Sequence, residues 1–198
     1  MELKQLTGLE FMGDNVRSMF KYCGEDVRLY PLCKILRAQN VEIDDHSRIF
    51  DFAFIDAGES LKIGKYSFIM WHCLIEGGAK VKIGNRVFVG PGTKILSSTY
   101  KFNEFYTAEF LPEGCHDIEY GDIELKDDSY IGANAVIMPG ITIGEGAVVG
   151  SNAFVNKDVE PWGIYVGSPA RKVGDRKKPT EERRAIVEQM DWINHFDI

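Results

Sequence analysis

An aliphatic residue returns at every sixth position along most of this chain. From Leu125 it falls at Ile131, Ile137, Ile143, Val149 and Val155. Glycine follows at Gly132, Gly144 and Gly150, and a small or branched residue sits four places on, at Ala135, Ile141, Ala147, Ala153 and Val159. An earlier stretch keeps the beat in trios, Ile43-Ile49-Ile55, Ile63-Ile69-Ile75 and Ile83-Val89-Ile95, each starting twenty residues after the last. That is three six-residue steps with two extra residues at a corner. A helix of period 3.6 or a simple alternating strand gives no repeat of six. Each six-residue step instead reads as one face of a three-sided parallel β-helix, with the aliphatic residue inside. The glycine is expected to take a positive φ at a tight corner. Leu61-Lys-Ile63, Val81-Lys-Ile83, Ile123-Glu-Leu125 and Ile141-Thr-Ile143 alternate apolar and polar before each new coil, so both apolar side chains share a strand face. Sandwich strands recur every 8–12 residues, a spacing that does not hold this phase.

Where the beat fails, the chain divides. Residues 1–40 read as an N-terminal cap, with Asp14 as N-cap of a short helix through Tyr22 and Val16, Met19 and Phe20 as its apolar side. Residues 41–178 read as the β-helix domain. Within it, residues 97–122 drop the beat and form a long, aromatic and acidic ejected loop, a kind of insertion that is usually functional in a compact domain. Residues 179–198 read as a C-terminal helix, opened by Pro179-Thr180 and carrying an apolar stripe of Ile186, Val187, Met190 and Ile193.

Composition narrows the partners. The chain has 198 residues and a formal net charge of −7, which disfavours nucleic acid, because phosphate binding needs clustered cations. No apolar run approaches the roughly 20 residues of a membrane span, and no signal peptide is legible at the start, so a cytoplasmic protein is expected. Cys23, Cys33, Cys73 and Cys115 are scattered with no CxxC pair, which predicts reduced thiols and no zinc site.

The beat, the ejected loop, the stretch Ile131-Gly-Ala-Asn-Ala-Val-Ile-Met-Pro-Gly and the ending Val166-Gly-Ser-Pro-Ala-Arg-Lys together resemble the left-handed β-helix acyltransferases. The nearest branch is the galactoside, maltose and xenobiotic O-acetyltransferases and the nucleotide-sugar N-acyltransferases. The resemblance spans roughly residues 41–175. It implies a homotrimer, an active site between two subunits and acetyl-CoA or another acyl-CoA as donor, with no metal. Matched residue by residue, it puts Ala133, Ser151, Asn156, Lys157 and Arg171 at CoA-binding positions. Gly, Ala and Ser at stacked corners leave backbone amides open, and the cations Lys157, Arg171 and Lys172 suit the phosphates of a nucleotide thioester.

The catalytic centre departs from the family pattern. Hydroxyl-acylating relatives carry a loop histidine as general base; here that position falls at Tyr100, with no histidine nearby in sequence. A phenol of ordinary pKa near 10 is a poor base at neutrality, whereas an amine acceptor is partly unprotonated already. The expected activity is therefore N-acylation of an amino sugar carried on a nucleotide, as in cell-surface polysaccharide or O-antigen biosynthesis. O-acetylation of a sugar hydroxyl and a non-acyltransferase use of the prism, as a metal-dependent hydratase or a structural subunit, are the alternatives. Candidate site residues are His72, Ser97 and Ser98 for catalysis, the two serines as hydroxyls for the oxyanion or the acceptor. Glu76, Tyr100 and Glu109 are candidates for acceptor binding, Glu109 with Glu104, Glu113 and Asp117 in an acidic loop that could attract an ammonium. His116, at the far end of the loop, could fold back towards the site.

Overall fold

A computed structural model describes residues 16–101, 106–107, 111–112 and 114–189. The first coil comprises β1 (Tyr22–Cys23), β2 (Arg28–Leu29) and β3 (Lys34–Leu36); the second β4 (Val41–Ile43), β5 (Arg48–Ile49) and β6 (Phe54–Asp56). The third comprises β7 (Ser60–Ile63), β8 (Phe68–Ile69) and β9 (Leu74–Glu76); the fourth β10 (Lys80–Ile83), β11 (Phe88–Val89) and β12 (Lys94–Leu96). The ejected loop opens and closes with β13 (Ser98–Tyr100) and β14 (Ile118–Tyr120). Two further coils follow: β15 (Ile123–Leu125), β16 (Tyr130–Ile131) and β17 (Val136–Ile137), then β18 (Thr142–Ile143), β19 (Val148–Val149) and β20 (Phe154–Val155). A last partial turn has β21 (Gly163–Val166), against which β22 (Arg171–Asp175) folds antiparallel.

Every third strand of the coils stacks in parallel, giving three faces: A from β1 to β18, B from β2 to β22 and C from β3 to β20. This is the left-handed parallel β-helix expected, with about seven turns. The beat residues Ile43, Ile49, Ile55, Ile69, Ile75, Val89, Ile95, Leu125, Ile131, Ile137, Ile143 and Val149 are fully buried along its axis. Burying one such side chain stabilises by roughly 1.5–3 kcal/mol, so a continuous column of them holds the stack together. The fold resumes without a slip after the loop, since Val81 and Ile83 pair with Ile123 and Leu125.

Four details differ from the sequence reading. The coils begin at Tyr22, inside the stretch read as cap, because β1 already pairs with β4. Val16 and Phe20 are buried but Met19 is exposed; Asp14 lies outside the described residues. The glycines after the beat do not have positive φ. Gly132 and Gly144 are demanded by close stacking instead, since a Cβ would lie 2.5 Å from Ser151 N and 2.4 Å from Pro161 N. The left-handed conformation falls two residues later, at Asn134 (φ 58°) and Asn152 (φ 58°), where the turn points its side chain outward and asparagine tolerates the strain. Finally, α1 (Glu181–Gln189) buries none of its residues and leaves Ile186 exposed. It is capped by Thr180, whose hydroxyl accepts the Arg183 N–H at 3.3 Å. Met190 and Ile193 of its apolar stripe lie outside the described residues.

Candidate functional site

The loop leaves the prism at the corner between faces C and A, after β12, and returns to it before β15. Ser97 anchors the exit. It is fully buried, its hydroxyl accepts the N–H groups of Gly78 (2.9 Å) and Ala79 (3.1 Å), and it donates to the Glu76 carbonyl at 3.0 Å. Its bonding capacity is spent inside the corner, so the structure corrects the reading of Ser97 as a reacting hydroxyl: it is a staple between coils.

Ser98 starts an antiparallel ribbon in which Ser98, Thr99 and Tyr100 oppose Tyr120, Glu119 and Ile118. The ribbon sits on a glycine floor. A Cβ at Gly78 would lie 2.5 Å from Ser98 Cβ and 2.7 Å from the Tyr120 ring, and one at Gly121 would lie 2.3 Å from Gly140 N. Further out, the Lys101 N–H donates to the Asp117 carbonyl at 3.0 Å, and the Lys101 ammonium pairs with the Asp117 carboxylate, holding that acid below its ordinary pKa. Asp117 is thus neutralised rather than free to attract an ammonium. The ribbon also brings His116 back: its ring meets that of Tyr100 edge-on, with centroids 5.9 Å apart. Glu76 reaches the surface at the same corner, at the end of β9. Glu104, Glu109 and Glu113 lie outside the described residues.

His72 stands elsewhere. It is the left-handed residue (φ 59°) of the corner between faces B and C, exposed, and stacked flat on Phe52 with centroids 5.0 Å apart. Its corner column continues through Gly92 to Asn134 and Asn152, beside Ala133 and Ser151; Asn152 N–H donates to the Ala133 carbonyl at 2.8 Å. Face C separates this column from the loop stem, a width on the order of 15 Å for five strand residues. Within one chain, therefore, His72 shares a corner with two of the five expected CoA residues and does not meet Ser98, Glu76 or Tyr100.

The other three gather at the C-terminal end of the prism. Asn156, Lys157 and Arg171, with Asp158, Tyr165, Ala170 and Lys172, line a cleft of about 310 Å³. Lys172 is engaged there by Asp175 (2.8 Å) and Glu160 (2.9 Å), which raise its pKa. Asp158 accepts the Thr142 N–H at 2.8 Å. Among the described residues, the Arg171 side chain bonds only the Ala170 carbonyl, at 2.8 Å, and Lys157 has no ion pair. Two cations are left to face the cleft, which suits an anionic ligand.

A larger groove, about 780 Å³, runs along the corner between faces A and B under α1. Its floor is Trp162, crossed by the guanidinium groups of Arg176 and Arg184 at 5.8 and 5.9 Å. None of the site residues expected from sequence lines it, and its cations outnumber its carboxylates.

Among the described residues, no group of three or more His, Cys, Asp or Glu is placed to hold a metal ion, and no helix is long and apolar enough to cross a membrane.

Residues 122–157, two coils between the loop and the terminal cleft, match the family model described as bacterial transferase hexapeptide (six repeats). A chloramphenicol acetyltransferase of Klebsiella aerogenes is 45% identical over 74 residues, covering 37% of this chain and 34% of that protein. The chain thus spans about a third of the length of the chloramphenicol acetyltransferases it matches. Similarity to the dTDP-4-amino-4,6-dideoxy-D-glucose acyltransferase of Escherichia coli extends over 174 residues at 28% identity, 84% of this chain and 88% of that one. Among solved structures, a single-substitution mutant of AntD, an N-acyltransferase from Bacillus cereus, in complex with dTDP and coenzyme A superposes with a TM-score of 0.83 at 26% identity, covering 91% of this chain and 98% of that one. The hexapeptide repeats, the ejected loop and the C-terminal segment therefore sit in a framework shared almost end to end with an N-acyltransferase.

Proposed function

We propose that this chain is an acyl-CoA-dependent N-acyltransferase acting on an amino sugar carried on a nucleotide. The observation that carries the reading is the near-complete superposition on AntD, joined to Lys157 and Arg171 at the terminal cleft, which have no ion pair among the described residues. In the reaction the acceptor nitrogen attacks the thioester carbonyl and CoA leaves as the thiol. Lys157, Arg171 and Asn156 hold the phosphates of CoA, while the corner of Ala133 and Ser151 lines its pantetheine arm with backbone amides. Glu76, Ser98 and Tyr100 face the acceptor at the loop edge.

The two edges belong to one site only if copies of the chain meet, so the working form is a homotrimer. Phe52 and Phe54, 54% and 43% exposed around the corner of faces B and C, support this, since such rings ask for a neighbour to cover them. The acyl-CoA donor is a cytoplasmic metabolite, and the enzyme works there. The test is release of CoA thiol from acetyl-CoA with a panel of nucleotide-linked amino sugars, including dTDP-4-amino-4,6-dideoxyglucose, beside neutral glycosides. Turnover confined to the neutral glycosides would move the reading to a sugar O-acetyltransferase, and a stable, active monomer in light scattering at micromolar concentration would remove the trimer.

A further inference from the structure

The groove between faces A and B, about 780 Å³, has no part in the chemistry described so far. Sites for small organic ligands commonly measure about 300–1,000 Å³, so its size suits one. Eight of its lining residues are Lys or Arg and five are Asp or Glu, although the whole chain carries a formal charge of −7. Three of the cations are neutralised: Lys82 by Glu124 (2.8 Å), Arg86 by Asp128 (2.6 Å) and Arg184 by Glu145 (3.7 Å). Asp127 is spent on Asn85, whose backbone and side-chain amides it accepts at 2.9 and 3.0 Å. Lys126, Arg176, Lys177, Lys178 and Arg183 line the groove with no carboxylate partner among the described residues. They come from three places: the end of face A, the segment after β22, and the first turns of α1. Arg176 is also held in place. Its guanidinium donates to the Asp128 and Gly146 carbonyls at 2.8 and 3.2 Å and lies over the Trp162 ring. Bonds to carbonyls fix its position without cancelling its charge. Pro179 and Val187 add an apolar wall.

We infer that this groove is a second ligand site, separate from the donor and acceptor edges, and that it takes a nucleoside polyphosphate. The phosphates sit on the five unneutralised cations, and the organic body lies against Pro179 and Val187. Guanidinium forks and ammonium groups are the usual partners of phosphate oxygens. A lone inorganic phosphate would leave most of the cavity unfilled. A long polyanion is disfavoured, because beyond the groove it would meet a surface of net negative charge. None of the residues expected to hold CoA lines the groove, and none of the groove's residues lines the terminal cleft, so occupancy here does not compete with the donor. The site has a structural consequence. α1 buries none of its own residues, and it stands over the groove. A ligand bonded to Arg183 on the helix and to Lys126 on the prism ties the two together, so binding is expected to order α1.

The experiment is equilibrium dialysis of labelled ATP against the full chain, with CoA and dTDP in excess to fill their own sites. One equivalent of ATP should bind per chain. Lys126→Ser and Arg183→Ser should each weaken it by roughly tenfold, the effect of losing one charge-assisted bond. Both side chains are exposed, so the variants should fold, and Lys157→Ser should leave this binding unchanged. Hydrogen exchange gives a readout that loose adsorption would not move: ATP should slow the α1 amides in wild type but not in Lys126→Ser, a residue outside the helix. No saturable uptake up to about 1 mM ATP, the weak end of specific binding, overturns the site. Uptake that survives both groove variants also overturns it, and uptake lost in Lys157→Ser assigns the ATP to the terminal cleft instead. Inorganic phosphate binding as tightly as ATP reduces the groove to a patch of surface charge, and a single-stranded oligonucleotide that displaces ATP at lower concentration makes the partner a nucleic acid. None of these outcomes uses turnover. Failure of the acyltransferase reading, seen as no CoA release with any acceptor of the panel, is therefore distinguishable from failure of the groove.

Discussion

Replacing Ser97 by alanine separates a structural serine from a reacting one. In the native corner the Ser97 hydroxyl accepts two N–H groups, from Gly78 at 2.9 Å and Ala79 at 3.1 Å. It also donates to the Glu76 carbonyl, but that carbonyl keeps a second partner, the Ser97 N–H at 2.9 Å. The substitution therefore strands two donors and no acceptor. A buried donor left unpaired costs about 1–3 kcal/mol. Ala79 is buried and carries the full cost, whereas Gly78 is half-buried and regains some from water. The expected destabilisation is about 2–4 kcal/mol. For a chain of this size, each kcal/mol lowers the melting temperature by about 2–4 °C, so a drop on the order of 10 °C is expected in a thermal melt followed by circular dichroism. Turnover per folded molecule, measured well below the melt, should fall by less than about tenfold, since no reacting atom is removed. A melt unchanged within about 1 °C together with a hundredfold loss of kcat would refute the reasoning and restore Ser97 to the chemistry.

Neutralising Lys157 or Arg171 should weaken acetyl-CoA binding by roughly 1–3 kcal/mol, the scale of a charge-assisted hydrogen bond, with little change for the acceptor; calorimetric titration of both ligands checks this. His72→Asn should lose well under the 10²–10⁴-fold typical of a deleted base, because an amine acceptor is partly unprotonated already and needs no strong base; a loss near the top of that range in steady-state assays, with CoA binding intact, would make His72 the base. Burial pushes the Cys33 and Cys73 thiols up to about 11, from 9.0 in a free chain. Between these values the folded state keeps protons that the unfolded state has lost, so stability holds below pH 9 and falls as pH rises through 11, by about 2–3 kcal/mol per thiol. Urea midpoints measured from pH 8 to 11 should show this decline, and Cys33→Ala with Cys73→Ala should flatten it.

The sequence by itself determined the prism. A column of buried residues spaced by six is a local, repeated demand, and each step names its own inward side chain, so Ile43 through Val155 could be placed without coordinates. The site of loop ejection was legible for the same reason: residues 97–122 offer nothing to the column. The terminal cleft was partly legible too, because Asn156 and Lys157 are adjacent and Arg171 follows in a distinctive ending. What the sequence did not reveal depends on which residues stack between coils. Ser97 and Ser98 look alike in the chain, but only Ser97 turns into the corner, where the amides of the preceding coil meet its hydroxyl. The glycines at Gly132 and Gly144 are required by a neighbouring backbone some eighteen residues away, not by their own φ. His72 and Glu76 are four residues apart and still lie on different corners, because a strand of face C runs between them. Tyr100 and His116 show the reverse, since antiparallel pairing of the loop stem joins residues that no period in the chain connects. Inward positions follow from local spacing, whereas the chemistry at the edges is set by contacts between turns and across the ribbon, which only the tertiary structure decides.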